Sequence, residues 1–217
     1  MRMRKKKHGA ERLAACSHLL VTRPESPMTA PLTPFGREGK VCLEIGCGKG
    51  GFACGMAAAH PECNFYAMEK VSDVLVLAAE RAVREADTRP DNLRFVNGDA
   101  RDLAAYFAEG TLDAIYLNFS DPWPKAGHAK RRLTHRAFLT SYVSLLRDGG
   151  AICLKTDNAG LFAFTLEELA AIGLTPDWQT DDLHASPMAE GNVMTEYERA
   201  VSSQGMPIHA LRVTVRK

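Results

Sequence analysis

The chain has 217 residues, enough for one α/β domain with a substantial core and an additional arm. Hydrophobic residues at 46% and charged residues at 24% mark a globular protein, and a formal net charge of +1 excludes a molecule-wide field for a polyanion, so any nucleic-acid surface must be local. No apolar run reaches the length of a membrane span, the basic N-terminus lacks the apolar stretch of a secretory signal, and the six cysteines form no pattern that would hold a metal; a cytoplasmic, reducing setting is expected.

Residues 1–12 carry Arg2, Arg4, Lys5, Lys6, Lys7 and Arg12 against the single acid Glu11. Such a run is either a solvated arm or an arm that follows a phosphate backbone. Four prolines between residues 22 and 40 predict a linker without regular structure. Residues 1–39 are therefore read as a basic, Pro-rich arm and linker, and residues 40–217 as the domain.

The domain opens on an apolar run, Val41-Cys42-Leu43-Glu44-Ile45, that passes into Gly46-Cys47-Gly48-Lys49-Gly50-Gly51. This order predicts a strand, a tight loop and a helix N-terminus, a site for a nucleoside cofactor. Two templates fit: Gly46, Gly48 and Gly51 match G-x-G-x-x-G of dinucleotide sites, whereas Glu44, Gly46, Gly48 and Gly50 resemble the first motif of S-adenosylmethionine (SAM) methyltransferases. Further along, helices are predicted over 52–60, 71–86, 133–146 and 161–172. Strands are predicted over 64–68, 93–96, 112–119 and 151–154, with weaker candidates near Trp178 and over 211–215. Alternation at this spacing implies a mostly parallel sheet with helices on both faces, whose ligands lie beyond the C-terminal strand ends.

That rule gathers Glu44, Glu69, Asp99, Asp121 and Asp157, each at or just after a predicted strand end. Glu69 follows Gly50 by 19 residues, the spacing of an acid that accepts from both ribose hydroxyls. Asp99 is expected at an adenine edge or as a helix cap. Clustered acids disfavour a pyrophosphate and favour the cationic groups of SAM.

The segment Asn118-Phe119-Ser120-Asp121-Pro122-Trp123-Pro124-Lys125 is predicted to be a stiff loop, with Asp121 and Trp123 held extended by the prolines that follow them. Trp123 is either part of that loop's function or a core plug. The next cations, Lys125, His128, Lys130, Arg131, Arg132, His135 and Arg136, have no acid among them and predict a phosphate-binding rim. Thr195 to Glu198, read alone, is an edge-strand turn, and Lys155 and His184 are expected to be structural or solvated.

With Lys130-Arg131-Arg132-Leu133-Thr134, Lys155-Thr156-Asp157 and Thr195-Glu196-Tyr197-Glu198 added to these motifs, the sequence resembles the bacterial tRNA (guanine-N7-)-methyltransferase family over about residues 40–215. The resemblance implies a Rossmann-like class I methyltransferase with a seven-stranded sheet, acting with SAM on N7 of guanosine 46 in the tRNA variable loop, as a monomer or homodimer. It also implies SAM contacts from Glu44, Gly46, Gly48, Gly50, Glu69, Asp99 and Asp121, with Asp121 catalytic. Substrate contacts are implied for Lys125, Asp157, Thr195, Glu196, Tyr197 and Glu198, and RNA contacts for Gly127, His128, Ala129, Lys130, Arg131 and Arg132. The chain departs from the family's frequent Lys-Lys-Arg-His by having Lys125-Ala126-Gly127-His128, which implies weaker RNA affinity. Another RNA or amine acceptor is the alternative reading; a nicotinamide oxidoreductase lacks an evident hydride site.

Overall fold

The computed structural model describes residues 6–85 and 91–217. Arg2, Arg4 and Lys5 of the expected phosphate-following arm lie outside the described residues. The fold is a seven-stranded, mostly parallel sheet with helices, and its chain divides into two compact units, the first ending at Ala108 and the second Glu109–Lys217.

The first unit carries β1 (Lys40–Ile45), β2 (Cys63–Glu69) and β3 (Leu93–Asn97), paired in the parallel order β3-β2-β1. From Val41 onward β1 is buried at every residue, as is β2 up to Met68, which explains why these strands read as continuous apolar runs rather than alternating ones. Two helices connect them, α2 (Gly51–Ala59) and α3 (Ser72–Arg84). Helix α3 buries Leu75, Val76, Ala78, Ala79 and Ala82, a stripe small enough to let the chain opposite it approach closely.

The N-terminal region differs from the linker expected of it. A short helix, α1 (Gly9–Ala15), packs on α3, held by a fork from Arg12 to both oxygens of Glu80 at 2.7 and 2.6 Å. Beyond it the chain runs along the sheet: Val21 N–H donates to the Phe95 carbonyl and Met28 N–H to the Tyr106 carbonyl, each at 2.8 Å. Phe35 is buried edge-on to Tyr66, whose hydroxyl donates to the Pro31 carbonyl at 2.6 Å. Residues 22–39 form no α-helix or strand but do hold a short 3-10 turn, Thr33–Phe35, with Pro34 at its start, and aromatic burial fastens the segment down. Burial also raises the Tyr66 phenol well above its ordinary pKa.

The second unit carries β4 (Leu112–Asn118), β5 (Leu146–Thr156), β6 (Trp178–Thr180) and β7 (His209–Thr214), ordered β4-β5-β7-β6. Strands β4 and β5 are parallel, while β7 runs antiparallel to both of its neighbours. Its helices are α4 (Arg136–Leu145), α5 (Ala159–Ala171) and α6 (Glu196–Ser202). Strand β5 starts at Leu146, directly after α4, rather than at Ala151: Asp148-Gly149-Gly150 does not end a helix but bulges the strand, and Leu112 faces Leu146 whereas Ala114 faces Ala151. Leu183, Val201, Ile208 and Ala210 form a core cluster against which Phe119 and Trp178 pack.

Candidate active site

In the first unit the loop after β1 leans on the end of β2. Gly46 and Cys47 both donate their N–H groups to the Met68 carbonyl, at 2.8 and 3.0 Å, and Gly48 N–H donates to Glu69 Oε2 at 3.1 Å. Gly46, Gly48 and Gly50 all lie in the left-handed region, at φ 80°, 55° and 78°. They need glycine for different reasons. A Cβ on Gly46 or Gly48 would meet nothing within 4 Å, whereas one on Gly50 would stand 2.8 Å from the Ala78 Cβ of α3. The first two border open space that a ligand's atoms can enter; the third lets α3 close against the loop. Close helix packing thus falls to Gly50, and Gly51 is the first residue of α2.

The acids around this loop hold different environments. Glu44, on β1, is buried. The second oxygen of Glu69 accepts from Val71 N–H at 2.9 Å, so the carboxylate ties the loop to the chain entering α3. Both carboxylates are felt by the Cys47 thiol, whose pKa is pushed far up, first by burial and then by the charges of Glu44 and Glu69. Cys47 is therefore an un-ionised wall of the site. Asp99 caps the 3-10 turn that follows it, accepting from Arg101 N–H at 3.0 Å, and pairs with the Arg101 guanidinium and the Lys70 ammonium, each at 2.7 Å. The Arg101 hydrogen bond, followed by Lys70, holds its carboxyl well below the usual range. Of the two expectations for Asp99, the structure displays the cap.

In the second unit the loop 118–125 begins with Phe119 at φ 51°, its N–H donating to the Lys155 carbonyl at 2.8 Å. Asp121 and Lys125 are exposed. Trp123 corrects the extended conformation expected of it: its φ is 42°, in the left-handed region, where a bulky residue costs about 1–3 kcal/mol. It is not a core plug either. Trp123 is partly exposed, with the Arg131 guanidinium 4.9 Å above its ring and His128 edge-on at 5.6 Å.

The basic segment that follows divides by function. Arg136 forks onto Glu168, with Nη2 at 2.7 Å from Oε1, and Arg136 N–H donates to Oε2 at 2.5 Å. His135 caps α4 through Ala137 N–H. Arg132 donates Nε–H to the Pro122 carbonyl at 2.9 Å and Nη2–H to the Trp123 carbonyl at 3.1 Å. These three are engaged within the unit. Lys125 is exposed immediately before the turn Ala126–Arg131, and Gly127, Lys130 and Arg131 are exposed on it, with His128 and Ala129 partly so.

At the ends of β4 and β5, Asp157 accepts from the Tyr197 hydroxyl at 2.8 Å, and the Tyr197 ring lies 5.1 Å from that of Phe119. This hydrogen bond, then burial, raises the Tyr197 phenol. The motif carrying Tyr197 is not an edge-strand turn but the start of α6. Thr195 Oγ1 accepts from Glu198 N–H at 2.8 Å and Thr195 N–H donates back to Glu198 Oε2 at 3.3 Å, a capping box. Glu198 is fully buried. It accepts from Lys155 Nζ at 2.7 Å and Asn192 Nδ2 at 2.7 Å, with His184 Nε2 at 3.1 Å. Lys155 and His184 are thus structural, as expected. Thr195 and Glu198 hold the helix together internally, Glu196 is partly exposed, and Tyr197 is half exposed. The signal for α6 was present as Thr195-x-x-Glu198.

Among the described residues no cluster of His, Cys, Asp and Glu suits a metal, and no helix is long and apolar enough to cross a membrane. Parallel strands, a glycine loop bordering open space and acids at strand ends suit a class I SAM-dependent methyltransferase, the class to which the family below belongs. Solved structures agree on the fold. The 16S rRNA methyltransferase KamB superposes with a TM-score of 0.65 at 14% identity, covering 89% of this chain and 96% of that one. An antibiotic-related methyltransferase gives 0.60 at 15%, covering 84% and 90%. A 16S rRNA (adenine(1408)-N(1))-methyltransferase from Catenulisporales acidiphilia, solved with cosubstrate SAM, gives 0.55 at 17%, covering 98% and 93%. A family model described as putative methyltransferase matches residues 38–211, and the chain belongs to that family, which is the one containing the tRNA 7-methylguanosine methyltransferases. Its cofactor is SAM, and the open space over Gly46 and Gly48 fits such a group.

Proposed function

We propose that the protein methylates N7 of guanosine 46 in the variable loop of tRNA. The observation that carries this reading is the stiff Asp121 loop followed at once by an exposed basic turn, Lys125 to Arg131, within a chain of this family. SAM supplies an electrophilic methyl on a sulfonium. When bound, SAM would pass that methyl to guanine N7 as its C–S bond breaks, leaving S-adenosylhomocysteine.

N7 presents an in-plane lone pair and no proton, so this chain needs no general base. Its work is alignment and charge. Glu69 accepts from the ribose hydroxyls while its backbone donors keep it oriented, Gly46 and Gly48 give close approach, and Glu44 and Asp99 complete the cofactor contacts. Positive charge passes from sulfur to the purine, and the Asp121 carboxylate stabilises it there, an oxyanion hole with the sign reversed. Asp157 accepts from guanine N1–H and the N2 amino group, with Tyr197 as the neighbouring wall. Lys125, Lys130 and Arg131 meet phosphates, flanked by Gly127, His128 and Ala129. Arg132, with its donors on loop carbonyls, is set apart from that group.

The test is transfer from labelled SAM to unmodified tRNA, then borohydride and aniline cleavage. Scission at the variable loop is expected. Label without scission there moves the site to another RNA position, and absence of label in tRNA rejects the substrate. In Asp121→Ala, loss of about 10²–10³-fold in kcat with SAM binding retained is expected. Unchanged turnover removes Asp121 from the chemistry, and lost SAM binding makes it a cofactor ligand first.

A further inference from the structure

Arg132 follows the basic turn, yet its side chain folds back onto the loop that precedes it. Nε–H and Nη2–H bond the carbonyls of Pro122 and Trp123, and the guanidinium face lies 4.3 Å over the ring centroid of Phe164 on α5. The Pro122 carbonyl belongs to the peptide plane before Trp123, and the Trp123 carbonyl to the plane after it. The backbone torsions of Trp123 are the rotations between those two planes. One rigid fork therefore holds both planes at the residue whose φ is 42°. A strained bulky residue persists only where its surroundings over-determine it; here Arg131 and His128 meet the ring of Trp123, while the Arg132 guanidinium, backed by an aromatic face, holds its backbone.

We infer that Arg132 is a positioning residue that sets the path of the loop carrying Asp121, rather than one of the cations that meet phosphate. The kinetic part rests on the methyl-transfer reading above; the structural part does not. Lysine keeps the charge but is a point donor that cannot span two carbonyls and stack. In both Arg132→Lys and Arg132→Ala, kcat on tRNA is expected to fall by about 10²-fold, the penalty of a small misplacement at a reacting centre. KM for tRNA and the salt dependence of tRNA binding are expected to stay those of the unaltered protein. In Arg131→Ala, by contrast, the slope of log K against log salt becomes shallower by about 0.7–0.9, the mark of one lost phosphate contact. Phe164→Leu, which removes only the stacked face, shows a smaller loss of kcat in the same direction and guards against an Arg132 variant that fails to fold.

A second readout needs no substrate. The chain has two tryptophans, so Trp178→Phe leaves Trp123 as the sole reporter. In that background Arg132→Lys increases acrylamide quenching of Trp123. Quenching unchanged by the substitution overturns the hold on the loop. Wild-type kcat in Arg132→Lys, or a shallower salt slope in Arg132→Ala, overturns the positioning role. If the unaltered protein fails to methylate tRNA, the proposed function falls while the quenching result still judges Arg132.

Discussion

The buried pair of Lys155 and Glu198 gives a measurable prediction. Lys155→Met leaves the carboxylate of Glu198 fully buried with donors from Asn192 and Thr195 and with His184 alongside, but without the ammonium at 2.7 Å. Breaking a buried pair by removing one partner costs about 3–5 kcal/mol. The surviving donors place this case at the lower end, about 3 kcal/mol, and for a chain of this length each kcal/mol moves Tm by about 2–4 °C, so a fall of about 6–12 °C is expected. Glu198→Gln strands the ammonium instead, with Asn192 Oδ1 at 3.0 Å and the Val193 carbonyl at 2.9 Å still in place. The double variant holds no stranded charge, so its loss should fall short of the sum of the singles by about 2 kcal/mol. Urea titrations reading midpoints at constant m-value measure all four proteins. A Lys155→Met loss under about 1 kcal/mol, or singles that add, refutes the reasoning.

The two kinds of glycine in the first loop separate on mutation. Gly48→Ala has room for its methyl, so the fold should survive with a left-handed penalty of about 1–2 kcal/mol while calorimetric SAM affinity drops; Gly50→Ala adds a methyl 2.8 Å from Ala78 and should lower Tm further than Gly48→Ala does. Asp99 has a depressed native pKa, so its stabilisation is fully present above the unfolded value of about 3.9 and is lost as pH falls toward the native one. Asp99→Asn should therefore be less stable at neutral pH and show a flatter decline below about pH 4 in acid unfolding. Deleting residues 1–15 removes the Arg12–Glu80 fork and the packing of α1 on α3, so Tm should fall. A solvated arm would leave it unchanged.

Strands β1 and β2 were legible because burial on both faces writes itself as a mostly apolar run, and β4, partly exposed at Asp113 and Tyr116, is still mostly apolar. The glycines and strand-end acids followed from that. Helix α1 was not legible, since an ion pair and a short charged helix leave no apolar period. The start of β5 was hidden because the apolar residues of α4 run straight into Leu146. Glu198 read as part of an edge-strand turn or as a substrate contact; only the folded chain brings Lys155, 43 residues away in sequence, to its oxygen. Arg132 read as one more rim cation, and its turn back onto the loop left no mark, because its hydrogen-bond partners are backbone carbonyls and every residue has one.

The loop over which SAM is expected has three of its N–H groups on the last two residues of β2, Met68 and Glu69. Its shape is therefore inherited from strand registration, with Glu44 opposite Ala67 and Ile45 opposite Met68. A slip of one residue would turn every side chain of the strand to the wrong face and unhook the loop in the same movement. The shape of the cofactor loop in this protein thus depends on its first two strands having paired in register. A chain arrested before that pairing has no partial pocket for SAM to rescue.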